Sequence, residues 1–514
     1  MRRLDPRRLL FDRDVLDLMG LGLMVKPVGL VTQILVARWF GAGEELDAYQ
    51  LAFFLVTFGE GALSRVFKGA LAPHLIQRLR TMTADAYAGY QNAVVGLFLG
   101  GGAAWLLLLA VLVAQLVGVI WPDLPGATAD ATVRMLLVLV APALLMVANN
   151  LTMAVLNLHR HFHVAGAMPL LNAVGMLGAL LAWHDRLGIW ALPAGFALAQ
   201  ALTWPLVHGR ALAVRALRPV RPALARADLG VIRELVALMA VAELMLTVNV
   251  FLDRWFATGL EPGSISSLHF ASHIITAIMM LFGASLITVM FPRMSAAIAA
   301  GDLDGCSRDI AANLKRTAHL VVPASLMIAV AAPEIVRVLF QRGAFDAADA
   351  ARTSGAMSMY ALGLGALVIN GLIARVFHSL QLLKDKAWLA LQYLATNAAL
   401  NALLVGPMQV RGLALASTLA IASHLLLSLW VLHRRDSGLR TGRFAAIIGE
   451  AFAVGAVAMA AWWLLPAPWP AVDGDTAVTV ALGVGAAKGA AVAGCYLVVW
   501  LVRGGVARLA AARS

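Results

Sequence analysis

The sequence predicts an all-α integral membrane protein of about fourteen transmembrane helices, and three observations carry that expectation. Long apolar stretches fill the 514 residues, of which 61% are hydrophobic and only 13% charged; a soluble domain carries about 25% charged residues. The mean hydropathy is +0.83, and hydrocarbon about 30 Å thick is crossed by roughly 20 apolar residues in a helix. The arginines and lysines gather in every second gap between apolar stretches, as loops kept in the cytoplasm do. No connection is long enough to hold a separate soluble domain. The net charge of +12 could suit nucleic acid, but the basic residues lie in short loops beside apolar spans, and orientation in a membrane explains them better.

The first helix is expected over 15–38. Arg2, Arg3, Arg7, Arg8 and Arg13 precede it like the charged start of a signal peptide. The apolar run continues without a small-residue cleavage site, so it reads as a retained helix. Helices over 47–74, 91–120, 132–157, 162–183 and 187–208 follow. A second set is expected over 232–257, 264–292, 316–340, 352–378, 387–407 and 412–433, and a last pair over 444–465 and 476–502. Pro73, Pro122, Pro125, Pro262, Pro292 and Pro407 fall near helix ends, where proline is tolerated. Pro27, Pro142, Pro169, Pro193, Pro205, Pro323 and Pro333 fall inside spans, which accept kinks when neighbours re-satisfy the backbone.

On these boundaries about 27 of the 40 Lys and Arg belong to the termini and the even-numbered connections, and about six to the odd-numbered ones. The sixth connection, with Arg210, Arg215, Arg218, Arg221, Arg226 and Arg233, is the most basic. The third holds Asp123 and Asp130, the seventh Glu261, and the thirteenth Asp473 and Asp475. Both termini are therefore expected in the cytoplasm, with an even number of spans. Cys306 falls in a basic loop and Cys495 in the last apolar stretch, so they are not expected to pair.

A short internal repeat sets the domain organisation. Ala37-Arg38-Trp39-Phe40-Gly41-Ala42-Gly43-Glu44-Glu45 aligns with Asp253-Arg254-Trp255-Phe256-Ala257-Thr258-Gly259-Leu260-Glu261. The copies end the first and seventh helices, six apart, so both run the same way through the membrane. This gives a parallel pseudo-repeat of two six-helix lobes: residues 1–222, residues 223–436, and two additional helices over 437–514.

A charge at mid-bilayer costs roughly 2.5–3.5 kcal/mol even on a lenient scale, so it faces a partner or a wet cavity. Lys26 lies midway along the first helix. Glu60, Ser64 and Lys68 share one face of the second, with Arg65 beside it. Two readings are open: Glu60 paired with Lys26 or Arg65 as glue between helices, or a wet cationic chamber in which three cations exceed one acid and suit an anionic ligand. Ser272 and His273 occupy the matching part of the second lobe, where a packing histidine is the plainer reading. Arg375 and His378 sit near a cytoplasmic helix end and could snorkel, and Arg337 and Lys488 could snorkel or pair locally. Arg38 and Arg254 end their helices, as interfacial anchors do. Asp253 is expected to pair inside the protein or face an opening.

No Walker-type loop, zinc-spaced His/Cys cluster or Gly-x-Ser-x-Gly elbow is present, which argues against ATP hydrolysis, a metal centre or a serine hydrolase. The chain is expected to be no enzyme and to need no cofactor.

With these residues placed, the chain resembles the MurJ/MviN lipid II flippases of the multidrug/oligosaccharidyl-lipid/polysaccharide exporter superfamily. The resemblance rests on Ala37 to Gly43 with Asp47-Ala48-Tyr49, on Glu60-Gly61-Ala62-Leu63-Ser64, on Asp253-Arg254 and Gly263-Ser264-Ile265-Ser266, on Arg375-Val376-Phe377-His378, and most specifically on Leu339-Phe340-Gln341-Arg342-Gly343-Ala344-Phe345-Asp346. It implies two lobes around a central cationic cavity, with the last two helices forming a lipid-facing groove. It implies a bacterial inner-membrane flippase that moves an undecaprenyl-pyrophosphate-linked sugar, lipid II, from the inner to the outer leaflet by alternating access. Lys26, Arg65, Lys68, His273 and Arg375 are then candidates for the pyrophosphate. Arg38, Asp47, Glu60, Asp253 and Arg254 are candidates for gating or coupling. Lys26 matches an arginine position in the family's first helix, and Asp47 matches the acid of its Asp-Ala-Phe stretch.

The sequence departs from the family at several points. Thr32 and His273 stand where arginines are usual, and the family's Pro-Asn and paired arginines are missing between Phe53 and Glu60. The Asp-x-x-Thr-Pro stretch is missing around Leu382 to Lys386. These departures keep open a flippase for another polyprenyl-linked glycan, of exopolysaccharide or O-antigen type. A cation-coupled small-molecule exporter would be expected to show excess intramembrane acid, whereas this chain shows excess base. A scaffolding protein would pack Glu60 with its basic neighbours and leave no chamber. The expected partners are the lipid-linked substrate and membrane lipids, with no nucleic acid. The sequence names no coupling ion among Na⁺, H⁺ and Cl⁻.

Overall fold

The chain folds almost entirely into helices, with no strand among the described residues, which in this computed structural model are 13–159, 161–435, 438–464 and 478–511. The arginines before residue 12 and the acidic connection with Asp473 and Asp475 lie outside them. In order the helices are α1 (Arg13–Phe40), α2 (Glu44–Val66), α3 (Ala72–Thr81), α4 (Ala84–Ile120), α5 (Gly126–Leu158), α6 (Phe162–Leu187), α7 (Ala191–Ala213), α8 (Arg226–Ala257), α9 (Ser264–Ala299), α10 (Leu303–Phe340), α11 (Ala347–Ser379), α12 (Leu383–Arg434), α13 (Thr441–Leu464) and α14 (Val478–Ala511). At 1.5 Å per residue α4 is about 55 Å long, well beyond the hydrocarbon thickness, so its first turns reach out of the membrane.

Eight helical stretches among the described residues are long and apolar enough to cross a membrane. Two of them join a pair of expected spans. One runs from α6 through a 3₁₀ turn at Gly188–Trp190 into α7. The other is α12, whose helical geometry breaks at Gln409 (φ 52, ψ −132), just after Pro407. Proline removes a backbone donor and crowds the preceding turn, which is where the sequence places the end of its eleventh helix. The expected second helix, 47–74, runs further. A π-turn at Phe67–Leu71 leads from α2 into α3, with Pro73 in the first turn of α3. Pro73 has no N–H to close an ordinary turn, and the widened turn takes up that loss.

The chain divides into two compact units, Met1–Gly263 and Ser264–Ser514. In the first, α1 packs on α6, α6 on α7, α7 on α5, and α5 on both α2 and α4; α8 joins at α2 and the π-turn. A buried amide binds α5 to α7: Asn149 Nδ2 donates to the Gln200 carbonyl (3.1 Å) and to Thr203 Oγ1 (2.9 Å). Helices in lipid gain little from apolar contact alone, and such polar links with close small-residue approach hold them together. Gly175 permits the approach of the α7 backbone, since a Cβ there would lie 3.0 Å from Ala199 Cα.

In the second unit α11 packs against α9, α10 and α12, and α10 also against α13 and α14. The stretch Leu339 to Asp346 forms the α10–α11 connection. Phe340 and Phe345 are buried against Phe270, with ring centroids 5.0 and 5.6 Å from it. Gly343 takes a positive φ of 65°, and Asp346 caps α11 by accepting from the Asp349 N–H at 2.8 Å. The physical reason for the motif is a tight, aromatic-sealed turn. The intramembrane Lys488 pairs with Glu334 of α10 at 2.5 Å, which decides between the two readings open for that lysine.

Candidate functional site

The candidate residues of the first unit lie on α1, α2 and the π-turn. At helical spacing α2 has two faces. Gly59, Ala62, Leu63 and Val66 share one, and Gly61, Ser64, Arg65 and Lys68 the opposite one, with Glu60 between. Glu60 is buried, and its Oε1 accepts from Ser64 Oγ (2.5 Å) and from Asn150 Nδ2 of α5 (2.6 Å). Hydrogen bonds to a charged acceptor are worth about 1.5–3 kcal/mol each, so the carboxylate is satisfied by neutral donors. The structure therefore does not use Glu60 to neutralise Lys26. Lys26, Arg65 and Lys68 are exposed on their unit, and Lys26 and Lys68 have no side-chain partner among the described residues. Positive charge without a partner among the described residues is left on α1, at Lys26, and on the π-turn, at Lys68.

Thr32, where the resemblance implies an arginine, is buried and donates its hydroxyl to the Val28 carbonyl at 2.8 Å. It adds nothing to a charged site.

Two gate candidates tie α2 to the end of α8 and to the connection after it. Asp47 is buried, and its Oδ2 accepts from the Gly263 N–H at 2.7 Å. Gly263 has φ 86°, a conformation natural to glycine. One turn along the same face of α2, Arg254 donates to the Gln50 carbonyl at 2.9 Å and lies over the Phe54 ring at 4.3 Å. A guanidinium on an aromatic face gains about 0.5–2 kcal/mol, more when desolvated. Asp253, the preceding residue, is half-buried. Arg38 stands apart from this pair: it is exposed in the last turn of α1, beside Trp39, which stacks on His184 with centroids 3.7 Å apart.

In the second unit His273 lies in α9 with its ring 5.9 Å from that of His269. Arg375 is exposed near the end of α11, close to His378 and Lys386. Lys386 Nζ and His378 Nε2 touch across the α11–α12 turn. The result is a basic cluster of three, in which Lys386 is a member that sequence reasoning did not select. Asn150 was also passed over, although two adjacent asparagines in an apolar span are a signal, because each amide needs a partner away from water.

The basic sixth connection is fastened to α4. Gln91 Nε2 donates to the Ala216 carbonyl (2.7 Å), Asn92 Nδ2 to the carbonyls of Arg218 (2.8 Å) and Val220 (2.9 Å), and Ala223 N–H to the Gly89 carbonyl (3.0 Å). Arg78 of α3 pairs with Asp228 of α8 at 2.6 Å. His159, just past the end of α5, contacts Gln91 at 3.3 Å. Burial, then the neighbouring His161 and Arg218 charges, push its pKa below the usual histidine value. Among the described residues no group of three His, Cys, Asp or Glu is placed to hold a metal.

Comparison with known proteins follows the same lines. The family model for the lipid II flippase MurJ matches residues 36–474. A probable lipid II flippase MurJ of Vibrio cholerae is 26% identical over 436 residues, covering 80% of this chain and 81% of its own. One of Thermotoga maritima is 27% identical over 417 residues, covering 78% and 81%. The lipid II flippase MurJ of Burkholderia cenocepacia is 25% identical over 452 residues, covering 82% and 84%. Among solved structures, a lipid II flippase MurJ in an inward closed conformation superposes with a TM-score of 0.74 at 18% identity, over 94% of this chain and 98% of that one. An inward-facing multidrug resistance MATE transporter of the MOP superfamily gives 0.65 at 13% identity, over 84% and 98%.

Proposed function

The chain belongs to the lipid II flippase MurJ family, and from that premise we propose that it carries lipid II, a polyprenyl-pyrophosphate-linked sugar, from the inner to the outer leaflet of the bacterial inner membrane. It is a transporter and not an enzyme. The observation that carries the site assignment is positive charge without a counter-ion. Lys26 and Lys68 have no partner among the described residues, while Glu60, the nearest acid on α2, is satisfied by Ser64 and Asn150. In this reading the chain spans the membrane fourteen times with both ends in the cytoplasm, and two six-helix lobes, 1–222 and 223–436, rock about a wet interior. Lys26, Arg65 and Lys68 hold the pyrophosphate in the inward-open state, and His273 and Arg375 meet it from the other lobe. Asp47 and Arg254, fixed at the α2–α8 contact, form with Arg38 and Asp253 the outer gate. A membrane potential, inside negative, acts on mobile charge at about 2.3 kcal/mol per charge per 100 mV and resets the carrier.

The test is flipping of a pyrophosphate-linked lipid by the purified chain in vesicles. Lys26→Ala is expected to lower the rate by about tenfold, the equivalent of 1.4 kcal/mol, while Lys26→Arg retains it. Unchanged flipping by Lys26→Ala removes Lys26 from the site.

A second reading, transport of a different polyprenyl-linked glycan, is favoured by Thr32, whose hydroxyl is committed to its own helix. Rescue of cells depleted of their lipid II flippase supports the first reading. Failure to rescue with normal membrane levels supports the second.

A further inference from the structure

On the face of α2 opposite Lys68, the first unit holds a cleft of about 970 Å³ between α2, α4 and α8. Ligand clefts run about 300–1,000 Å³, so this one has room for a lipid chain rather than a small solute. Its walls away from α8 are apolar except for Glu60, with Phe58, Leu63, Phe98 and Trp105 among them. Glycine opens the space on two sides. The Trp105 indole lies over Gly59, where a Cβ would meet its nitrogen at 2.1 Å, and nothing stands within 4 Å of a Cβ built at Gly101 or Gly230.

The α8 wall of this cleft is charged. Arg226, Leu229, Gly230, Arg233 and Val236 line it from α8, and their spacing of 3, 4 and 7 puts both arginines on the same stripe as the apolar wall. Arg226 and Arg233 are exposed and have no side-chain partner among the described residues. The acids nearby do not serve them: Asp228 pairs with Arg78, and Glu60 is held by Ser64 and Asn150. The start of α8 adds the positive end of a helix dipole. A greasy slot lined along one wall by two guanidinium groups without partners among the described residues is complementary to a phosphate carrying an acyl chain, and basic pockets between membrane helices bind such headgroups.

We infer that the α2–α4–α8 cleft is a binding site for an anionic glycerophospholipid, its phosphate on Arg226 and Arg233 and an acyl chain along Gly101, Trp105 and Gly230. The site is separate from the flipping site proposed above, because none of Lys26, Arg65 and Lys68 lines the cleft, and it does not depend on that proposal.

The full-length chain in detergent, titrated with defined lipids and weighed intact by mass spectrometry, tests this. Phosphatidylglycerol is expected to bind with roughly thirtyfold preference over phosphatidylcholine, at about 1 kcal/mol per arginine. The R226Q/R233Q double variant is expected to lose that preference and R226K/R233K to keep most of it. Gly230→Leu and Gly101→Leu fill open space, so they are expected to fold and to reduce bound lipid without changing the secondary structure. Full preference in R226Q/R233Q, or undiminished binding in both plugged variants, overturns the site. Glycerophosphate competing as well as phosphatidylglycerol overturns the acyl-chain half. Undecaprenyl phosphate displacing phosphatidylglycerol at lower concentration than phosphatidylglycerol displaces itself would make the cleft a tail site for the flipped lipid and end the proposal. None of these readouts measures flipping, so failure here leaves the transport reading standing, and the reverse.

Discussion

Two glutamates buried in apolar helices are handled in opposite ways. Glu334 in α10 pairs directly with Lys488 of α14 at 2.5 Å and is 4% exposed. Glu60 in α2 takes its hydrogen bonds from a serine and an asparagine. The first arrangement cancels charge inside the packing and makes Lys488 a structural residue. The second keeps an acid in place while consuming no cation, so the basic residues of α1 and the π-turn keep their charge. Whether a buried acid belongs to scaffold or site therefore depends on what satisfies it, and the residue type alone does not say.

The comparison breaks first at Glu334. Glu334→Ala leaves Lys488 without its counter-charge and is expected to cost about 3–5 kcal/mol, read as a loss of thermal unfolding temperature in detergent. Removing both charges, as Glu334→Gln with Lys488→Met, is expected to recover most of it. A loss in the single variant as small as a surface substitution's would remove the contrast.

Asn150→Leu is the corresponding break at the other site. It takes one donor from a buried carboxylate and is expected to cost about 1.5–3 kcal/mol, measured by chemical or thermal unfolding. Glu60→Gln sharpens the contrast, because the amide oxygen still accepts from Ser64 and Asn150. Its expected cost is about 1 kcal/mol or less, well below that of Glu334→Ala, and a cost of equal size would mean that Glu60 has an ionic partner after all.

The smallest effect concerns pH. His159 has a folded-state pKa below its unfolded value, from burial first and then the charges of His161 and Arg218. Its neutral form favours the fold, so stability is full above the ordinary histidine pKa of 6.5 and is lost as pH falls through and below it. The unfolding temperature of the native chain is expected to drop more between pH 7.5 and 5 than that of His159→Gln, whose curve should be flatter. Parallel curves would remove His159 from the effect.

Much of this molecule could be read from its residues. Hydropathy gave the all-helical, membrane-spanning character, and the bend at Gln409 comes just after Pro407. The i, i+4 spacing of Glu60 and Ser64 became a hydrogen bond. Other features escaped because they depend on partners far along the chain. Asn150 reaches Glu60 across 90 positions, and nothing local announces that contact. Arg226 and Arg233 read as loop charge that sets orientation. Only the tertiary structure, which sets α8 and α4 around one cleft, makes them part of its lining.

The tie between Asp47 and Gly263 fixes the exit of the chain from its first unit. The peptide after α8 is pinned to the opening turn of α2 by a buried carboxylate, at a residue whose backbone suits glycine. The last residue of the first unit is thereby anchored inside that unit, as the arginine-rich connection earlier in it is anchored to α4.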